Sequence, residues 1–188
     1  RIGYMKGGKD ALWVDEDIPF VLSDKATKYI NENKDNPFFL YFSLHDIHQP
    51  RVANFKFVES STMGPRGDVI AQMDWCVGQI LEVLEKQGLL ENTLIIFTSD
   101  NGPILDDGYL DYARELVGDH KPGGLYRGSK YSAYEAGTRM PTVVHWPKVV
   151  KPGTSDALLS QVDLYASLAS LVNQNITSGN AIDSQNFM

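Results

Sequence analysis

The chain has 188 residues, 43% of them hydrophobic and 11% aromatic, enough apolar surface to pack a core of domain size. Seventeen basic against 24 acidic residues leave a formal charge of −7 with no Lys/Arg-rich run, which argues against nucleic-acid binding through phosphate neutralisation. No apolar stretch reaches the ~18 residues that a membrane span needs, and a single cysteine excludes an intrachain disulfide within these residues.

In chain order, residues 24–33 carry Ala26, Tyr29 and Ile30 at helical spacing behind Ser23, a residue type suited to an N-cap, and Pro37 stops the pattern. Residues 38–44 are an apolar run of the kind expected of a strand buried on both faces. Residues 67–87 place Ile70, Met73, Val77, Ile80, Leu81 and Leu84 on one side of a helix, which Gly88 ends. Residues 94–98 read as a second buried strand, so the three segments form a strand, helix, strand unit of the crossover type. A further strand over 142–146 and a helix over 162–172 behind Ser160 complete the pattern. The expected class is α/β, a mostly parallel sheet flanked by helices, in one domain over 1–188.

Thr98-Ser99-Asp100-Asn101-Gly102 follows the second strand, where an α/β sheet builds its sites. Asp100 offers a charged hard oxygen and Asn101 a neutral carbonyl oxygen, a pair that suits Ca²⁺ or Mg²⁺ rather than a thiophilic metal. Asn-Gly is equally ordinary turn chemistry. The long stretch 103–137 has little periodicity and many charges, among them Asp106, Asp107, Asp111, Glu115 and Asp119, and reads as the wall of a site. His120, flanked there by Asp119 and Lys121, is expected at the surface. Lys9 belongs to a solvated turn, and Asn175-Ile176-Thr177 satisfies the glycosylation sequon.

Three motifs stand in one order: Phe38-Phe39-Leu40-Tyr41 running into His45-Asp46-Ile47-His48-Gln49-Pro50; Ser99-Asp100-Asn101-Gly102; and Arg127-Gly128-Ser129-Lys130 continuing to Tyr134-Glu135-Ala136-Gly137-Thr138-Arg139-Met140-Pro141. Together they resemble the C-terminal part of the catalytic domain of type I, arylsulfatase-like sulfatases, whose fold is alkaline-phosphatase-like. The resemblance implies hydrolysis of sulfate esters, a Ca²⁺ cofactor (Mg²⁺ being the lesser choice) held in part by Asp100 and Asn101, and His48 and Lys130 as the groups that bind sulfate and stabilise the leaving group. It leaves His45 as a supporting or substrate-contacting residue, and it implies a sulfated substrate such as a glycan and an exported or periplasmic enzyme.

Family members carry their nucleophile in Cys-x-Pro-x-Arg or Ser-x-Pro-x-Arg, whose first residue becomes formylglycine; neither pattern occurs here. Cys76 lies in a helical pattern without that context and is expected to be a buried helix residue. The chain is therefore expected to be part of a longer enzyme and inactive alone. Ser129 stands where the family usually has glycine, which would be strained if the position needs positive φ. Glu135 and Arg139 are expected to start a helix or to form a buried ion pair that fixes Lys130. Two other readings stay open: a phosphoester hydrolase of the alkaline-phosphatase superfamily, and a non-catalytic protein that binds calcium or a sulfated glycan.

Overall fold

The computed structural model describes residues 6–177 and 179–187. They fall into two compact units divided between Val150 and Lys151. In the first unit, α1 (Ile18–Asn33) packs against α2 (Gly64–Lys86), and β1 (Ile95–Thr98) pairs with β2 (Thr142–His145). Two single-turn helices, α3 (Ala113–Leu116) and α4 (Glu135–Thr138), lie in the long connection between the strands. The second unit holds α5 (Asp163–Leu171).

Helix α1 begins earlier than its apolar spacing suggests, because Pro19 occupies the first turn, where its missing N–H is no loss. Ser23 is consequently no cap: it is a buried residue inside the helix, in line with Ala26 and Ile30 on the face that meets α2. Helix α2 ends as Gly88 predicts. Gly88 takes φ +69, its N–H donates to the Glu85 carbonyl, and the N–H of Leu89 donates to the Leu84 carbonyl, a Schellman closure. The buried stripe of α2 is rotated from the one expected. Val69, Gln72, Cys76, Val83 and Leu84 are buried, whereas Ile70, Met73, Val77 and Ile80 are half-buried and Leu81 is exposed.

Ile30, Val83 and Leu84 form the centre of the core, with Phe38, Leu40, Ile80, Leu89, Leu90 and Ile95 packed on it. Truncating Ile30 or Leu84 to alanine there costs about 2–5 kcal/mol. Phe20, Phe57 and Trp75 make an aromatic cluster at the other end of the helix pair, with the Phe20 and Trp75 rings 4.5 Å apart.

The expected parallel sheet is not what forms among the described residues. β1 and β2 are antiparallel, in the register Ile95 opposite His145 through Thr98 opposite Thr142. Residues 38–44 run extended with a period of two: Phe38, Leu40, Phe42 and Leu44 are half-buried, while Phe39, Tyr41 and Ser43 are exposed. Among the described residues their backbone makes no hydrogen bond with another backbone group, and Phe39 accepts only the Tyr29 hydroxyl at 3.3 Å. The segment has a strand's conformation with one face on the helices, but no ladder joins it to β1, so the crossover unit lacks its parallel pairing.

In the second unit Asp163 organises the start of α5. One carboxylate oxygen accepts the Ser160 N–H at 2.8 Å and the other the Gln185 N–H at 2.9 Å. The first acidic residue of α5 thus anchors the segment that leads into the helix.

Candidate functional site

β1 delivers the chain into the turn of Ser99, Asp100, Asn101 and Gly102, which backbone hydrogen bonds knit to the Arg127–Gly137 region. The Gly102 N–H donates to the Gly137 carbonyl at 2.9 Å, the Lys130 N–H to the Pro103 carbonyl at 2.9 Å, and the Ala136 N–H to the Arg127 carbonyl at 3.0 Å. Gly102 is required by space rather than by φ: a Cβ there would overlap the Ala136 carbonyl oxygen, and one at Gly137 would overlap the Ser132 carbonyl oxygen. Two of the three motifs are therefore one piece of structure.

Ser129 does not carry the positive φ that its family position raised as a concern. Gly128 takes it, at φ +102, as does Tyr131 at φ 73. The Ser129 N–H donates to the Ser132 hydroxyl, and Ser132 in turn donates to the Ser129 carbonyl at 2.8 Å. The Lys130 ammonium sits 5.3 Å from the Tyr131 ring centroid, and the Tyr131 hydroxyl donates to both Asp107 oxygens at 3.0 Å. Among the described residues no carboxylate pairs with Lys130.

The first motif is joined to the second by a residue that the sequence pattern did not single out. Arg51 follows His48 by three positions, and its side chain is only 2% exposed. Its Nε donates to the Ile47 carbonyl at 3.3 Å, Nη1 to Asp111 at 2.6 Å and to the Leu105 carbonyl at 3.4 Å, and Nη2 to the Ile104 carbonyl at 3.1 Å. The segment around His48 is thereby tied to the loop that continues from Asn101-Gly102-Pro103. Arg66, also buried, has its pKa lowered by its own desolvation and further by the nearby Arg51 charge, with Asp111 opposing.

His48 is exposed, and its Nδ1 lies 2.7 Å from the Gln49 carbonyl. A carbonyl only accepts, so Nδ1 carries the proton of that hydrogen bond. His45 is half-buried against Asp46, Nδ1 to Oδ1 at 3.4 Å. The Asp46 hydrogen bond raises the His45 pKa from its ordinary 6.5, burial opposes, and the Asp46 and Asp15 charges add to the rise. Asp46 is held from behind by Gln72 of α2, whose Nε2 donates to it at 2.8 Å and whose Oε1 accepts the Asn54 N–H at 2.8 Å.

Other expectations resolve plainly. Glu135 begins α4 and pairs with Arg139 at 3.2 Å, but the pair is well exposed and Arg139 lies over the Tyr126 ring, so it does not reach Lys130. Surface neighbours one helical turn apart are enough to explain it. His120 and Lys9 are exposed, and Cys76 is fully buried in α2 with its thiol pKa raised by burial. Among the described residues His48, Asp100 and Lys130 make no side-chain hydrogen bond with one another; it is the backbone and Arg51 that gather their segments.

The Asp100 carboxylate is exposed and accepts no hydrogen bond from a described residue. Asn101 donates its Nδ2 to the Gly102 carbonyl at 2.9 Å, which leaves its Oδ1 for a cation. Two hard oxygens on one turn fit part of a Ca²⁺ shell, which takes six to eight. Among the described residues no group of three or more His, Cys, Asp or Glu assembles to supply the rest.

The Sulfatase family model matches residues 16–174. This chain belongs to the sulfatase family. An N-acetylgalactosamine-6-O-sulfatase of Bacteroides thetaiotaomicron is 53% identical over 98% of this chain and 36% of its own length. Steryl-sulfatase of Rattus norvegicus is 35% identical over 89% of this chain and 28% of its own. A solved structure described under the metabolism of multiple glycosaminoglycans by Bacteroides thetaiotaomicron superposes with a TM-score of 0.95 at 52% identity, covering 100% of this chain and 39% of that one. The sulfatase chain described here thus spans between 28% and 39% of the length of these proteins, and the alkaline-phosphatase-like fold is shared with the solved structure. No helix among the described residues is long and apolar enough to cross a membrane.

Proposed function

We propose that the whole protein containing this chain hydrolyses sulfate esters, and that its substrate is a sulfated glycan bearing N-acetylgalactosamine 6-O-sulfate. The observation that supports the reaction class is the backbone hydrogen bond from the Lys130 N–H to the Pro103 carbonyl, which ties the Lys130 loop to the segment leaving the Asp100–Asn101 turn, while among the described residues the Lys130 ammonium has no carboxylate partner. The sugar is suggested by the Bacteroides relative, an N-acetylgalactosamine-6-O-sulfatase at 53% identity.

Asp100 and the Asn101 carbonyl oxygen would hold one part of a Ca²⁺ site, and the cation, when bound, supplies Lewis-acid polarisation of the sulfate oxygens while a formylglycine hydrate carried elsewhere in the protein supplies the attacking oxygen. Lys130 binds a sulfate oxygen and meets the negative charge that grows as the S–O bond breaks. His48 has its Nδ1 proton fixed on the Gln49 carbonyl, so it donates from Nε2 only as imidazolium. In that form it donates to the bridging oxygen and neutralises the departing alkoxide. His45, held by Asp46 with its pKa raised, stands on the same segment three residues before His48.

The test is release of inorganic sulfate from N-acetylgalactosamine 6-O-sulfate by the whole protein supplied with Ca²⁺. The expected result is turnover that Lys130→Ala removes. A folded, formylglycine-bearing protein that frees no sulfate from this or any other sulfated sugar would overturn the reading.

A further inference from the structure

We propose that Arg51 is a positioning residue for sulfate-ester hydrolysis, a buried guanidinium that holds the His48 segment and the loop leaving the Asp100–Asn101 turn in one fixed relation. The inference rests on the sulfatase reading above and adds to it a residue acting on two site segments at once.

Arg51 bonds in two directions. On one side Nε reaches the Ile47 carbonyl, immediately before His48. On the other, Nη2 and Nη1 reach the carbonyls of Ile104 and Leu105, three and four positions beyond Asn101. The two segments lie more than fifty residues apart in sequence, and this one side chain bonds to the backbone of both.

The anchor is itself secured. Asp111 accepts the Nη1 hydrogen bond at 2.6 Å through one oxygen, and through the other accepts the Ala113 N–H at 3.1 Å, which fixes the start of α3. Asp111 and Arg51 are both almost wholly buried, so their charges are not screened as a surface pair would be. Arg66 stands beside them, so two guanidinium groups lie about one carboxylate, and the carbonyls of Ile47, Ile104 and Leu105 take up what Asp111 cannot. Lysine does not substitute here. Its donors radiate from a single point, whereas the planar fork of arginine spans carbonyls on separate segments and a carboxylate together.

Catalysis depends on keeping His48, Lys130 and the metal-facing oxygens in register with one sulfate, and a displacement of about 1 Å in such a group costs on the order of 100-fold. Lys130 has its own tie to Pro103. His48 has no such tie, and Arg51 is what relates its segment to the loop beyond Pro103.

The experiment is a double-mutant cycle in the whole protein, reading sulfate release from N-acetylgalactosamine 6-O-sulfate. Arg51→Met should lower kcat/KM by about 100-fold in the wild-type background. In the His48→Ala background it should lower it by less than about threefold, because the residue being positioned is gone. Arg51→Lys should recover little. If Arg51→Met does not fold, Asp111→Asn, which keeps the shape and removes the charge, is carried through the same cycle with an expected loss of about tenfold that again shrinks when His48 is absent. Equal losses in both backgrounds mean a merely structural role and overturn the inference, as does no loss at all. The wild-type control separates this from failure of the sulfatase reading: a wild type that frees no sulfate overturns the function and the inference with it, whereas an active wild type with additive losses overturns the inference alone.

Discussion

Lys130 and Pro103 are joined N–H to carbonyl across 2.9 Å, a bond that ties the lysine's backbone to the turn after β1 even though 26 residues of sequence lie between them. The lysine's backbone is therefore held at that turn, and among the described residues its ammonium has no carboxylate partner.

Lys130→Ala is expected to lower kcat/KM of the whole protein by about 10²–10³, the usual loss when one donor to developing charge is removed. Its melting temperature should stay within about 2 °C of wild type, because the ammonium pairs with no described carboxylate. Steady-state kinetics beside a thermal melt check both halves. A large drop in stability would mean that the side chain carries structural weight.

Gly102→Ala should damage both fold and activity. Its Cβ would overlap the Ala136 carbonyl oxygen, which is backbone and cannot rotate away. Overpacking of that kind costs about 1–3 kcal/mol and pushes the Asp100–Asn101 turn from the Lys130 loop. Denaturant titration and turnover measured together should both fall; a variant as stable and as active as wild type would show that the two segments can separate freely.

Asp100→Asn should raise the Ca²⁺ concentration needed for half-maximal activity, since it replaces a charged hard oxygen with a neutral one in a shell that wants six or more. Activity measured against buffered Ca²⁺ reads this directly. An unchanged calcium curve would place the cation elsewhere.

The His45–Asp46 pair predicts a pH dependence whose sign follows from the direction of the shift. The folded pKa of His45 is raised above 6.5, chiefly by the Asp46 hydrogen bond, so the pair's contribution to stability is complete below pH 6.5 and is lost as pH rises through the folded value. The difference in melting temperature between wild type and Asp46→Asn should therefore shrink as pH climbs from 6.5. An NMR titration of the imidazole gives the folded pKa, and a value at or below 6.5 would contradict the arrangement.

Cys76 should resist thiol reagents in the folded protein and react fully in denaturant. It is wholly buried, and burial raises its pKa, so little thiolate is present or accessible. Free-thiol labelling rates under native conditions would show that α2 opens locally.

The helices were readable because local signals set their ends: Gly88 with its left-handed φ closes α2, and Pro37 lies just past the end of α1. Which face of α2 is buried was less readable. Gln72 and Cys76 are placed inward by what lies opposite, namely Asn54, Asp46 and Pro19, and an apolar count alone favours Ile70 and Met73 instead. The site motifs were visible as words, Asp100-Asn101-Gly102 and Lys130 among them. What ties them together was not, because Arg51 and Asp111 are 60 residues apart and nothing local distinguishes a buried arginine from a solvated one. The sheet was misjudged for a related reason. An apolar run announces an extended conformation, but strand order and direction depend on partners, and residues 142–145 run antiparallel to β1 while 38–44 pair with nothing described.

That bare stretch has a practical consequence for anyone producing the 188-residue piece by itself. Among the described residues no backbone group pairs with residues 38–44 along their extended backbone, and Phe39 and Tyr41 are turned to solvent at 69% and 82% exposure. An unprotected edge of this kind templates its own copies, and neither charge nor proline interrupts it between Phe38 and Leu44. Those seven residues are one place where isolated copies would associate, and a lysine in place of Tyr41 would blunt that self-association.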